Sequence, residues 1–274
     1  PVHFARGQAY LTYLTTGTTQ YENLPPYVIR GIVFDAEGNR TKTAPPERVT
    51  RSVFQNPTQP PAYWLEDDVG HPPLNGILAA ATNRLFYGVL GWLGDIDAYH
   101  LFEIFAASIL VGVVFLFGYQ AFGPVAGWTS ALALGTYPLF FAESHFNIKD
   151  PVVTLPITLA LYCAWQAVSS KKPWLWWLVG GFSGIGMAIK FNALFIPAII
   201  VCWLVARAVS KRSFKALGRL YNLPTLTGVL GGLAVGATFF FASWPYLWTD
   251  TYARLNKIFE FYSGIGSGTQ FQSE

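Results

Sequence analysis

From residue 101 onward the chain is a series of long apolar runs broken by short polar links, whereas residues 1 to 73 sustain no apolar run at all. Six stretches, 101–119, 124–142, 151–168, 173–190, 191–209 and 224–248, are long enough to cross a bilayer, which takes roughly 17 to 25 apolar residues. Backbone polar groups in lipid must bond within their own segment, so these stretches are predicted to be helices. Pro138, Pro156, Pro197 and Pro245 fall inside them and are expected to kink them.

Between the two regimes, residues 74–93 place apolar side chains at Leu74, Ile77, Leu78, Ala81, Leu85, Val89 and Trp92. Asn75, Thr82, Asn83 and Arg84 interrupt the other faces, a pattern that suits a helix lying at the membrane interface; a helix entering the membrane is the rival reading. Ahead of it, residues 1–73 form a polar, extracytoplasmic loop region with turn formers such as Glu37-Gly38-Asn39 and Pro60-Pro61. Within that region only His3 to Leu14 has helical spacing, and the middle is expected to be irregular. Residues 249–274 read as the start of a further extracytoplasmic loop. The fold class that follows is an all-α membrane protein: a multi-pass helical bundle over residues 74–248 with a long first loop and an interfacial helix.

Composition supports this division. Only 12% of residues are charged and 52% are hydrophobic, where soluble domains carry about 25% charged residues. A surface so poor in charge needs lipid as its solvent. The net charge of +3 matters less than its placement. Lys171, Lys172, Arg207, Lys211, Arg212, Lys215 and Arg219 lie in links on one side with no acidic residue among them, which makes that side cytoplasmic. Glu143, Lys149, Asp150, Lys190, Asp250, Arg254 and Lys257 fall on the other. Cys163 and Cys202 sit in apolar runs and read as small hydrophobes. Gly180 and Gly184, and Gly228, Gly232 and Gly236, recur every four residues, a spacing that lets helices approach closely. Nothing points to nucleic acid as a partner.

Three places carry candidate chemistry. Glu143-Ser144-His145-Phe146-Asn147-Ile148-Lys149-Asp150 packs two carboxylates, an imidazole, an amide and an ammonium between two spans. Ionisable groups at a membrane face invite a functional reading, against the plainer one of a solvated turn. Lys190 has hardly any loop around it, so its ammonium either snorkels to the interface or grips a lipid phosphate. His71, in His71-Pro72-Pro73-Leu74, follows Glu66, Asp67 and Asp68; imidazole with carboxylate can bind a divalent metal ion, and His71 with Asp68 is the candidate pair. Three adjacent loop acids are otherwise simply solvated. The order and sidedness of these features also bear on transport. No charge lies in mid-span except Glu103, near one end, whereas transporters and lipid flippases place polar sites near the midplane.

Taken together, His71-Pro72-Pro73-Leu74, the acidic turn Ser144 to Asp150 leading into Pro151, Lys190 at the start of a span, and Trp244-Pro245-Tyr246-Leu247-Trp248 resemble the GT-C integral-membrane glycosyltransferases. The branch is that of the dolichyl-phosphate-mannose protein mannosyltransferases and aminoarabinose transferases. The resemblance implies transfer of a sugar from a polyprenyl-phosphate carrier to an acceptor hydroxyl or amine of a protein, lipid or glycan on the outer membrane face, with inversion. It places Asp150 and Glu143 in the catalytic role, with Lys190, His71, Lys149 and His145 as substrate-binding candidates. A prokaryotic plasma membrane, with the long loop extracytoplasmic, is the expected location. The family's principal acid, an acidic pair opening the first outer loop, has no counterpart at Pro1-Val2-His3-Phe4, so the chain is expected to be an internal fragment, inactive alone.

Overall fold

The computed structural model describes residues 2–29, 31–41, 51–68, 70–210 and 222–266. Lys211, Arg212, Lys215 and Arg219 of the expected cytoplasmic links, and the end of the last loop, lie outside the described residues. The chain divides into two compact units: Pro1–Phe102 with Trp244–Glu274, and Glu103–Ser243.

The first unit opens with α1 (Val2–Thr16), followed by a hairpin of β1 (Tyr27–Ile29) and β2 (Ile32–Phe34), antiparallel with Val28 opposite Val33. This hairpin occupies ground where the pattern predicts no regular element. Next come α2 (Pro61–Glu66) and α3 (Leu74–Asn83), with a π-helical turn over Arg84–Val89. α1 packs on α3 at a point where both backbones must be bare. A Cβ on Gly7 would collide with the Gly76 carbonyl, and one on Gly76 would lie 2.6 Å from the His3 carbonyl oxygen.

The polar face of the 74–93 segment does not face water, as its pattern suggests. Asn75 and Asn83 are buried, while Leu85, Val89 and Trp92 are exposed. The reason is a buried hydrogen-bond network. Gln8, fully buried in α1, donates to Asn83 Oδ1 (3.0 Å) and the Tyr99 hydroxyl (2.7 Å), and accepts from Arg84 Nε (2.8 Å). Arg84 also donates to the Gln8 carbonyl and to Thr12 Oγ1, and Asn83 donates to Asp95. Burial pulls the Arg84 guanidinium below its ordinary value. A satisfied polar network fixes one arrangement of helices, because each member left unpaired in a low dielectric is costly.

α4 (Asp95–Phe122) carries the chain into the second unit. It starts six residues before the predicted span, so Glu103, expected near a span end, lies about two turns inside the helix and is buried. α5 (Pro124–Thr136) and α6 (Pro138–Phe146) are bent by 60° at Tyr137, so the stretch 124–142 is broken there, not merely kinked. Then follow α7 (Asp150–Ser169), α8 (Leu175–Ile189), a 3-10 turn over Phe191–Phe195, α9 (Ile196–Ser210) and α10 (Leu223–Ala242).

Among the described residues, four helical segments are long and apolar enough to cross a membrane, and the bent pair makes up to five; α8 is shorter. Of the four prolines, Pro156 alone lies inside a helix. Pro138 and Pro245 open α6 and a 3-10 turn, and Pro197 is the second residue of α9. In a first turn the missing N–H has no partner to lose, so Pro138 and Pro245 start helices instead of bending them, while Pro197 sits where the 3-10 turn Phe191–Phe195 runs into α9.

α8 and α10 share a seam without side chains. A Cβ on Gly180 would strike Gly232, and one on Gly184 would strike Gly236. The four-residue spacings seen in the sequence are thus the two halves of one contact, held by close backbone approach as in lipid-embedded helix pairs.

The last segment returns to the first unit through a 3-10 turn (Pro245–Trp248) and α11 (Thr251–Gly266). A membrane-spanning helical bundle with one short hairpin among its described residues is the all-α, multi-pass class that the hydrophobic pattern predicts.

Candidate active site

In the second unit, the turn between α6 and α7 brings Asp150, Lys190 and Glu143 together through Asn147. Asn147 Oδ1 accepts from the backbone N–H of Lys149 (3.1 Å) and Asp150 (3.0 Å), the local bond by which Asn favours turns ahead of a helix. Its Nδ2 donates to Glu143 Oε2 (2.6 Å) and Asp150 Oδ2 (2.9 Å). One amide therefore bridges two carboxylates that would otherwise repel each other.

The other Asp150 oxygen accepts from Lys190 Nζ, across 40 residues of sequence. Lys190 ends α8 in an extended conformation (φ −156°, ψ 133°), which turns its side chain off the helix. The pair is partly open, with side-chain exposures of 30% for Lys190 and 54% for Asp150, as a site that must admit a ligand requires. An ammonium has three donors, and Asp150 takes one.

Beside Lys190 in the chain, Met187, Ala193 and Leu194 line an apolar cavity of about 530 Å³ between α8, α9 and α10. No ionisable side chain lines it. His145 takes a separate direction, its Nδ1 2.7 Å from the Phe141 carbonyl of its own helix. Lys149 enters the turn through its backbone N–H.

His71 and Asp68 belong to the first unit. Asp68 is buried, and its carboxylate accepts from Arg6 Nη1 (2.8 Å), the Tyr10 hydroxyl (2.6 Å) and Trp244 Nε1 (2.9 Å). Burial, and then the Asp68 charge, push the Tyr10 phenol well above its ordinary value, so it stays a donor. Arg6 also donates to the His71 carbonyl (2.7 Å), clamping the turn before α3. The Tyr262 hydroxyl lies 2.8 Å from His71 Nδ1, and the His3 ring lies 6.2 Å from the His71 ring. Burial pushes the Tyr262 phenol up to about 12.

Asp68 thus faces three donors, not solvent. Among the described residues, no three or more His, Cys, Asp or Glu side chains gather to hold a metal ion. Among the described residues, no third such side chain joins His71 and Asp68.

Sequence reasoning counted Asn147 as the amide of the acidic turn but gave it no role of its own, although an Asn three residues ahead of an Asp-Pro helix start is a turn signature. It missed Arg6, Tyr10 and Tyr262, and named Trp244 without its bond to Asp68, because their partners are distant in sequence; Arg6, a lone cation within an apolar helical stretch, was the available clue.

Neither a curated protein nor a solved structure matches the chain. A family does. Residues 70–244, well over half of the chain and the stretch that holds the Asp150–Lys190 pair, match the model of the dolichyl-phosphate-mannose-protein mannosyltransferase family, so the chain belongs to that family and is a GT-C-type membrane glycosyltransferase.

Proposed function

We propose that the protein moves a sugar from a polyprenyl-phosphate carrier to an acceptor hydroxyl or amine on the outer membrane face, with inversion at the anomeric carbon. The observation that carries this reading is the neighbourhood of Lys190. An ammonium tethered to a carboxylate is flanked in the chain by residues of a largely apolar cavity that no ionisable side chain lines. A phosphate head with a long hydrocarbon tail has that same division of character.

In the step proposed, the acceptor heteroatom attacks the anomeric carbon from the face opposite the carrier. The bond from that carbon to the phosphate oxygen breaks, and its electron pair leaves on the phosphate. Lys190 stabilises the charge that builds there. The acceptor's proton passes to the carboxylate pair of Asp150 and Glu143, as general base catalysis requires. A single displacement inverts the centre. Lys149 and His145 are proposed as secondary contacts to substrate.

The test is transfer of radiolabelled sugar from a polyprenyl-phosphate donor to membrane extracts by the full-length protein. Asp150→Asn should slow transfer at least about tenfold, or about 1.4 kcal/mol on the barrier, and Lys190→Ala should raise the KM for donor. Wild-type turnover in both variants removes the site assignment. No product from any polyprenyl-phosphate donor would favour transport over transfer.

A further inference from the structure

The first unit exposes its large apolar side chains selectively. Among its described residues, four are more than two-thirds exposed: Val89 and Trp92 at 70%, Tyr252 at 79% and Phe259 at 75%. Val89 and Trp92 lie shortly ahead of α4, and Tyr252 and Phe259 lie on α11, which follows the span α10 after a link of eight residues. Apolar exposure is therefore concentrated beside the points where the chain leaves or enters its spans.

α11 is held in one rotation. At its start, Arg254 donates to the carbonyls of Leu65 (2.8 Å) and Tyr246 and stacks 4.5 Å over the Tyr246 ring. In its middle, Ile258 is buried. Near its end, Phe261 lies where a Cβ on Gly70 would touch it at 3.4 Å, and Tyr262 meets His71. With Arg254, Ile258 and Phe261 turned inward, Tyr252, Leu255 and Phe259 form a second face at helical spacing, all exposed. Lys257 and Glu260 are exposed on a third face. A helix with one face gripped, one apolar and one charged is suited to the boundary between headgroups and acyl chains, with its apolar side sunk roughly 5–10 Å.

We infer that α11 is seated on the bilayer surface, with Tyr252, Leu255 and Phe259 dipping into the acyl boundary and Lys257 and Glu260 in water. This rests on the membrane class of the protein and not on which group it transfers. Because Phe261 and Tyr262 grip Gly70 and His71 from the same helix, the bilayer surface sets the level at which His71 is held.

Nitroxide labels test it in the full chain reconstituted in bilayers, on a Cys163→Ala, Cys202→Ala background. Labels replacing Tyr252 and Phe259 should relax with oxygen and lose relaxation by a water-soluble nickel chelate, relative to labels replacing Lys257 and Glu260. Equal nickel access at 259 and 257 overturns the inference, because that face is then in water. Loss of both reagents at 259 overturns it too, because protein then covers the face. A benzoylphenylalanine at 259, with both cysteines kept, supplies a second readout: crosslinking to phospholipid is expected, and crosslinking to peptide alone refutes the seat.

Discussion

Replacing Asp68 by Asn keeps the side chain's shape and removes its charge, and the first unit should feel this strongly. The Arg6 and Asp68 side chains are 4% and 2% exposed, so the Arg6 cation would lose its counter-charge without gaining water. Tyr10 and Trp244 both donate to Asp68 Oδ2; an amide nitrogen there removes that shared acceptor and leaves Tyr10 with the Trp64 carbonyl at 2.9 Å, and its oxygen there turns N–H against Arg6.

Breaking a buried ion pair from one side costs about 3–5 kcal/mol. For a chain of this size that lowers the melting temperature by about 6 to 20 °C. The assay is thermal unfolding of the purified full-length protein in detergent, followed by tryptophan fluorescence. Glu22→Gln, at an exposed position, serves as the control. The double change Arg6→Met with Asp68→Leu should cost less than the sum of its parts, since an apolar pair strands no charge. An Asp68→Asn protein that melts with the control would refute the assignment of Asp68 as a buried structural anion.

Chelation should leave melting unchanged, because Asp68 and His71 are engaged by protein donors; a drop on adding EDTA, reversed by a divalent ion, would show a metal there. Gly232→Ala should destabilise the α8–α10 seam by about 1–3 kcal/mol, whereas Gly112→Ala, with nothing within 4 Å of its new Cβ, should be neutral; equal melting of the two speaks against the seam. Asn147→Ala should slow sugar transfer, by less than Asp150→Asn, since it loosens the two carboxylates without removing either. Transfer at the wild-type rate would show that Asn147 does not position them.

The spans were legible because their pattern is long and one-sided in composition. Which side a mixed helix turns inward was not. Asn83 and Arg84 interrupt an apolar stripe, and periodicity records only that two faces differ; in water the polar face goes out, while here it meets Gln8 and Asp95. The three acids at 66–68 read alike in sequence, yet Asp68 is singled out by Arg6, 62 residues away, and by Trp244, 176 residues away. No local signal carries such a pairing. Prolines at helix starts and within helices also look the same until the helix boundaries are known. The acidic turn was legible as a cluster, because its residues are adjacent, but the bond from Lys190 to Asp150 needed the fold.

The bond from Trp244 to Asp68 also sets an order of assembly. The unit that contains Asp68 is built from both ends of the described chain, and its last donor is made 176 residues after its acceptor. At about 5–20 residues per second, a ribosome takes roughly 9 to 35 s to cover that distance. All of α4 to α10 must leave the ribosome first. Until then Asp68 has Arg6 and Tyr10 but no indole, and the polar segment waits, incomplete, on the transmembrane helices made after it.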